Sequence, residues 1–233
     1  MSGVYGSIMT GLEEAIEDAK NKACEKKLLE CYIENPCATL SIPYWKQKNI
    51  TIPSDMKIIH EREYKPEKFQ EYNDEPYFRL IHDLNEILQV EVEGFIIKTV
   101  TEEDISILVD VVNQSYSDLS VTYEQLIGYT KTSVYEPELW IMVISKRDFQ
   151  VVGCGMADLD KDLKEGILEW IQVLPAYRGK KIGQLIVNEL LKRMIGKANF
   201  ATVSGKVSNT TKPEMLYRKC GFTGDDLWHI LTK

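Results

Sequence analysis

Apolar and polar positions recur along this chain with two different periods, and the changes of period mark its elements. Near the start, Leu12, Ile16, Ala19 and Ala23 repeat at helical spacing behind Thr10 and Glu13, which have the form of a capping box. They predict a helix running toward Leu29 or Tyr32 and stopped by Pro36. The chain then becomes extended and proline-broken, with short strands expected at Ala38–Ile42 and Met56–His60. "PYFRLIHDLNEIL" reads as a short helix from Pro76 to Leu88. Residues 1–91 hold no chemical motif and are expected to form an N-terminal extension ahead of a main domain at 92–233.

A steadier rhythm begins at Gly94. "GFIIKTV" is a strand, Thr101 to Asp104 is a capping signal, and Ile105, Leu108, Val109, Val112 and Tyr116 trace one helical face. A second helix follows Thr122. "LWIMVIS" and "FQVVGCGMADLD" are apolar runs divided by Lys146–Asp148, the pattern of a hairpin. Ile167–Val173 is a further strand, and Ile182, Ile186, Leu190 and Met194 form a stripe on the helix after it. "FATVSGKV" reads as a strand, "KPEMLYRKCG" as a short helix ended by Gly221, and "DDLWHIL" as a last strand. The predicted order is β-α-α-β-β-β-α-β-α-β.

Composition narrows the function classes. A chain of 233 residues has room for one large domain, or for an ordinary domain with a smaller companion. No apolar run approaches the roughly 20 residues of a membrane helix. The N-terminus has neither the basic start nor the apolar core of an export signal, so a cytoplasmic protein with no membrane partner is expected. The net charge of −8 opposes broad binding to nucleic acid, which needs basic surface to displace counterions, and suits a cationic small molecule. No two of Cys24, Cys31, Cys37, Cys154 and Cys220 have C-x-x-C spacing, and His60, His82 and His229 are far apart, so no metal site is expected.

Candidate chemistry concentrates between the strand at 167–173 and the helix at 184–194. There Arg178-Gly179-Lys180-Lys181-Ile182-Gly183 form a turn rich in cations and glycine. The first amides of a helix lack internal partners and carry partial positive charge, so this turn suits a phosphate or diphosphate. It equally suits a solvated basic turn, and spacing does not choose between the two. Neither a P-loop nor the dinucleotide-binding glycine pattern is present.

"VLPAYRGKKIGQLIVNELL" resembles the acetyl-CoA-binding segment of the GCN5-related N-acetyltransferases (GNAT), written Gln/Arg-x-x-Gly-x-Gly/Ala after a strand ending V-x-P-x-Y-R-G. Arg178 and Gly183 hold the outer positions, and Lys181 stands where the pattern has its middle glycine. "MLYRKCGF", Met215 to Phe222, resembles the same family's L-Y-x-K/R-x-G-F signature, and the element order from Gly94 resembles its fold. The resemblance is to a bacterial-type member with an N-terminal extension. It implies an α+β fold with a mixed, mostly antiparallel central sheet flanked by helices, preceded by a smaller N-terminal α/β extension.

It also implies direct transfer of an acetyl group from acetyl-CoA to a primary amine in a ternary complex, without a metal. The acceptor would be a small molecule or a peptide. Backbone at Ile171 and Val173 would meet pantetheine, while Arg178, Gly179, Lys180, Lys181, Ile182, Gly183 and Gln184 would hold the diphosphate. Asn209 would be a further cofactor contact, one place from the family's usual asparagine position at Thr210. Glu169, nine residues before Arg178, is the expected general base, and strict alternation puts it on one face with Ile167, Ile171 and Val173. A solvent-facing glutamate is the alternative. Tyr217 is the expected acid for the departing thiolate, a role compatible with anchoring its helix. A non-catalytic CoA-binding module is the competing function. "SIPYWKQKNITIP" would line the acceptor pocket, with extension of the sheet and a homodimer contact as the other options.

Overall fold

The computed structural model describes residues 20–115 and 120–233. The chain divides into two compact units, Met1–Ile50 and Thr51–Lys233. In the first, α1 covers residues 20–34, and the predicted cap at Thr10 lies outside the described residues. Pro36 then both stops one helix and starts another. It occupies the opening of α2 (Pro36–Thr39), where its missing N–H is no loss, and the Asn35 side chain accepts from the Ala38 amide at 3.2 Å. The strand expected at Ala38–Ile42 is therefore absent, because the Asn-Pro cap favours helix. After α3 (Tyr44–Asn49), the buried rings of Tyr32 and Tyr44 lie 5.7 Å apart in this unit.

The second unit is built on an eight-stranded sheet. Its strands are β1 (Met56–His60), β2 (Asn73–His82), β3 (Phe95–Thr99), β4 (Tyr135–Ser145), β5 (Val151–Asp160), β6 (Glu165–Val173), β7 (Phe200–Lys206) and β8 (Thr223–Thr232). They lie in the order β1-β8-β2-β7-β6-β5-β4-β3, and the β6–β7 pair is parallel while the other neighbours are antiparallel. The helices are α4 (Ile105–Ser115), α5 (Tyr123–Tyr129), α6 (Ile182–Met194) and α7 (Pro213–Lys219). From β3 onward the element order is the expected one, and the fold is mixed α+β.

Period-two alternation separates two cores. Ile141 and Val143 of β4 pack with Ile186 and Leu190 of α6, whereas Trp140 and Met142 pack with Leu108 and Val112 of α4. Helix α6 lies against a track of glycines. A Cβ on Gly155 would come within 2.4 Å of Ile186, one on Gly166 within 2.3 Å of Met194, and one on Gly153 within 3.2 Å of Ile186.

The segment Pro76–Leu88, expected to be helical, is strand β2 followed by irregular chain from Asp83. Its true period is two: Phe78 and Leu80 enter the α6-side core, while Arg79 points to the other face. Strand β2 sits between β7 and β8, so both β1 and β2 belong to the main sheet although they lie inside the expected 1–91 extension. The division between units falls instead at Ile50/Thr51. Arg79 ties β2 to its neighbours. Its Nη1 donates to Ser204 Oγ of β7 at 3.1 Å, and its Nη2 lies 3.6 Å from Glu165 of β6, which accepts from Thr202 Oγ1 at 2.6 Å. Both charges are buried, so losing one partner of such a pair typically costs about 3–5 kcal/mol.

His82, the last residue of β2, is buried with Nδ1 accepting from the Leu84 amide at 2.9 Å and its ring edge-on to Phe222. Burial lowers its pKa, against the smaller raising effects of Asp83 and the Cys220 carbonyl. As pH falls through about 6.5, the unfolded chain binds a proton that folded His82 refuses, so stability falls. Urea unfolding at pH 7 and pH 5.5 should show a smaller pH-dependent loss for His82→Gln than for the parent chain. A second expectation concerns truncation. A chain starting at Thr51 should keep a cooperative melt by circular dichroism, whereas one starting at Glu93 lacks β1 and β2 and should lose it.

Candidate functional site

The parallel β6–β7 ladder has four pairs, from Glu165↔Phe200 to Leu168↔Val203. Beyond it β6 stays paired with β5, through Ile171↔Gly155 and Val173↔Gly153, and β7 stays paired with β2, through Ser204↔Arg79 to Lys206↔Tyr77. The sheet therefore forks. The first β6 residue past the fork is Glu169, and it occupies a bulge: Met156 faces Trp170 and Ala157 faces Leu168, leaving Glu169 as the extra residue.

That bulge resets the alternation. Leu168, Ile171 and Val173 join the α6-side core while Trp170 joins the α4-side core. Gly166 and Leu168 both face α6, so Ile167 between them faces away, and Ile167 does not share a face with Ile171. Simple counting from Glu169 to Ile171 and Val173 therefore fails, because it assumes an unbroken pleat. Glu169 is partly exposed.

The turn expected to bind an anion opens α6 beside the end of β6. A Cβ on Gly153, which pairs with Val173, would lie 3.5 Å from Ile182, the buried first residue of α6. Gly179 (φ 79°) and Lys181 (φ 62°) are both left-handed, and Lys181 is the N-cap without a side-chain hydrogen bond. The Leu185 amide donates to the Lys181 carbonyl at 3.0 Å. The amides of Ile182, Gly183 and Gln184 precede that bond and have no carbonyl of the helix to reach.

The flanking cations are disposed differently from one another. Lys180 Nζ stands 4.7 Å from the centroid of the Tyr177 ring. Arg178 donates through Nε to the Val173 carbonyl at 3.2 Å and through Nη2 to the Ser115 carbonyl at 2.8 Å. Its guanidinium thus joins the end of β6 to the last carbonyls of α4, where a cation is favoured. Asn209 uses Oδ1 to accept from the Thr211 amide at 2.9 Å and hydroxyl at 2.7 Å, closing the turn before α7.

Tyr217 of α7 is buried in the α6-side core, with its ring 6.2 Å from Phe78 and 5.7 Å from Phe222. Phe78 in turn lies over Gly205, on the part of β7 beyond the ladder. Glu169 thus lies on the β6 limb of the fork, while Tyr217 packs against Phe78, which covers the β7 limb. Burial pushes the Cys154 thiol up to about 12 and the Cys220 thiol up to about 11, the latter despite its contact with the Asn188 amide. Among the described residues no group of three His, Cys, Asp or Glu side chains could hold a metal ion, and no helix is long and apolar enough to cross a membrane.

Residues 138–224 match a family model described as an acetyltransferase (GNAT) domain. Over that segment the chain is similar to a GNAT acetyltransferase domain. The match runs from within β4 to the start of β8 and so includes the β6–β7 ladder, the α6 turn and α7. No curated protein matches the chain.

Solved structures share this fold at low identity. A GCN5-related N-acetyltransferase from Sphaerobacter thermophilus superposes with a TM-score of 0.62 at 16% identity, over 81% of this chain and 63% of that one, less than two thirds of its length. A functionally unknown conserved protein from Staphylococcus epidermidis gives 0.54 at 15% identity, over 77% of this chain and 73% of that one. The GCN5-related glucosamine N-acetyltransferase region of a fungal multi-domain β-N-acetylglucosaminidase gives 0.54 at 13%, over 70% of this chain and 21% of that one.

Sequence reading missed the Arg79–Glu165 pair behind the fork. No local signal marks it, since the helical reading of Pro76–Leu88 gave Arg79 no inward face. Lys181 carries the backbone cost of a left-handed residue and puts a cation at a helix N-terminus. Lys181→Gly is expected to stabilise the fold by about 1 kcal/mol, read as a higher midpoint in urea.

Proposed function

We propose that this protein is an acetyl-CoA-dependent N-acetyltransferase of the GNAT type that moves an acetyl group to a primary amine by direct attack in a ternary complex. The observation that carries the reading is the meeting of two features. The β6 edge past Leu168, released from the β7 ladder, leads to the N-terminal turn of α6. A molecule with a strand-like amide arm and a diphosphate fits both at once, and acetyl-CoA is such a molecule.

In this reading the backbone of Ile171 and Val173 meets the amide arm. The amides of Ile182, Gly183 and Gln184 receive the diphosphate, Gly179 and Gly183 allow close approach, and Lys180 and Lys181 add charge. Arg178 supports the seat by bracing the turn against β6 and α4, and Asn209 shapes the turn ahead of α7. Glu169 accepts a proton from the attacking amine, directly or through water, as the new C–N bond forms. Tyr217 gives a proton to the sulfur as the C–S bond breaks and regains one from solvent. The strongly protonated thiols of Cys154 and Cys220 favour direct attack over an acyl-cysteine route. The acceptor is a small-molecule or peptide amine.

Thiol release from acetyl-CoA with a panel of amines tests the activity. Binding without turnover on any amine would favour a non-catalytic CoA-binding module. Tyr217→Phe should lower kcat on the order of 100-fold while leaving the affinity for acetyl-CoA unchanged. Glu169→Gln should lower kcat comparably, and unchanged turnover would reject Glu169 as the base.

A further inference from the structure

We infer that Leu216 is a positioning residue that ties the donor-binding turn of α6 to Tyr217. The inference rests on the function proposed above. Its starting point is Gly183, the second residue of α6. Gly183 is not among the residues with positive φ, so its backbone conformation does not demand glycine. What fills the space of its missing side chain is Leu216: a Cβ there would lie 3.0 Å from Leu216 Cδ2, 3.4 Å from Cδ1 and 3.8 Å from Cγ. The Leu216 side chain therefore rests on the backbone of the same turn whose free amides form the proposed diphosphate seat.

Leu216 immediately precedes Tyr217, so its seating fixes the rotation of α7 and with it the direction of the phenol. Helix α7 is held internally by the Arg218–Glu214 ion pair at 2.8 Å, on its exposed side, and by Arg218 Nη2 donating to the Gly224 carbonyl at 2.9 Å. It has seven residues, its N-cap Lys212 is left-handed (φ 50°) and makes no side-chain cap, and a helix this short takes its position from packing. Its other attachments lie elsewhere. Cys220 Sγ receives the Asn188 amide at 3.4 Å one turn further along α6, and the Tyr217 ring packs on Phe78 and Phe222. Of these contacts, the Leu216–Gly183 contact is the one that reaches the seat turn, and through it the position of the bound donor and that of the proton donor are set together.

A size-swap cycle tests this in the full-length chain. Gly183→Ala crowds Leu216, and Leu216→Ala leaves a hole, so each alone should lower kcat about tenfold through misplacement of Tyr217. Calorimetric affinity for acetyl-CoA should stay within about twofold for Leu216→Ala, which leaves every residue of the seat turn in place. When the two substitutions are combined, the methyl added by Gly183→Ala takes up space that the shortened side chain at 216 vacates, and kcat should recover to within about threefold of the parent. Leu216→Met, which keeps the volume, should stay near parent activity and serves if Leu216→Ala folds poorly. Additive losses in the cycle, a lost affinity with kcat intact, or a tenfold fall for Leu216→Met would overturn the inference alone. A parent protein that fails to bind acetyl-CoA would instead reject the donor seat, and the inference with it.

Discussion

Helix α6 can lie flat on the sheet only because Gly153, Gly155 and Gly166 present it no side chains. The placement of the α6 turn follows from that contact. With Ile186 and Met194 pressed against strand backbone, the helix axis is held close to β5 and β6, and its first residue, Ile182, arrives beside the end of β6. Interiors of this density tolerate neither an added methyl nor a shift without loss. The free amides of the α6 turn are thus presented at a defined place by packing, before any ligand contributes. Amides held in place in this way need not be ordered when an anion arrives.

The fork depends on a second constraint, which holds β6 and β7 together on one side of Leu168 so that they part on the other. The buried Arg79–Glu165–Thr202 group does this at the ladder, joining β6, β7 and β2 across the sheet. Past it, β6 follows β5 and β7 follows β2. The bulge at Glu169 falls at the branching point, where the extra residue lets β6 change direction without breaking its pairing to β5. Arg178 then closes the far end of that limb, where its guanidinium bridges β6 and α4.

Much of the domain was legible in the sequence because its periods are clean. The alternation in "LWIMVIS" and the stripe of Ile182, Ile186, Leu190 and Met194 translate directly into the two cores and the buried face of α6. The α6 turn and the Tyr217 helix were visible as motifs, since each is a contiguous segment. What escaped were features that local pattern cannot encode. "PYFRLIHDL" contains apolar residues at spacings that serve either period, and only pairing with two distant strands makes it β2. The Asn35–Pro36 cap turned an expected strand into α2. The bulge inserted one residue and moved Ile171 to the face opposite Ile167, an offset that no count along an ideal strand would show. Ser204 lies 125 residues from Arg79, and such a partnership leaves no trace in either neighbourhood.

The interior position of β2 also bears on how the chain is made. During synthesis β2 emerges with both hydrogen-bonding edges bare, and its partners β7 and β8 begin only at Phe200 and Thr223. The sheet cannot close over it until those strands have left the ribosome. Long-range pairing of this kind is slow, and an exposed strand waiting for its neighbours invites association with other nascent chains. Efficient production is therefore expected to depend on chaperone cover over β2 more than on the stability of the finished fold.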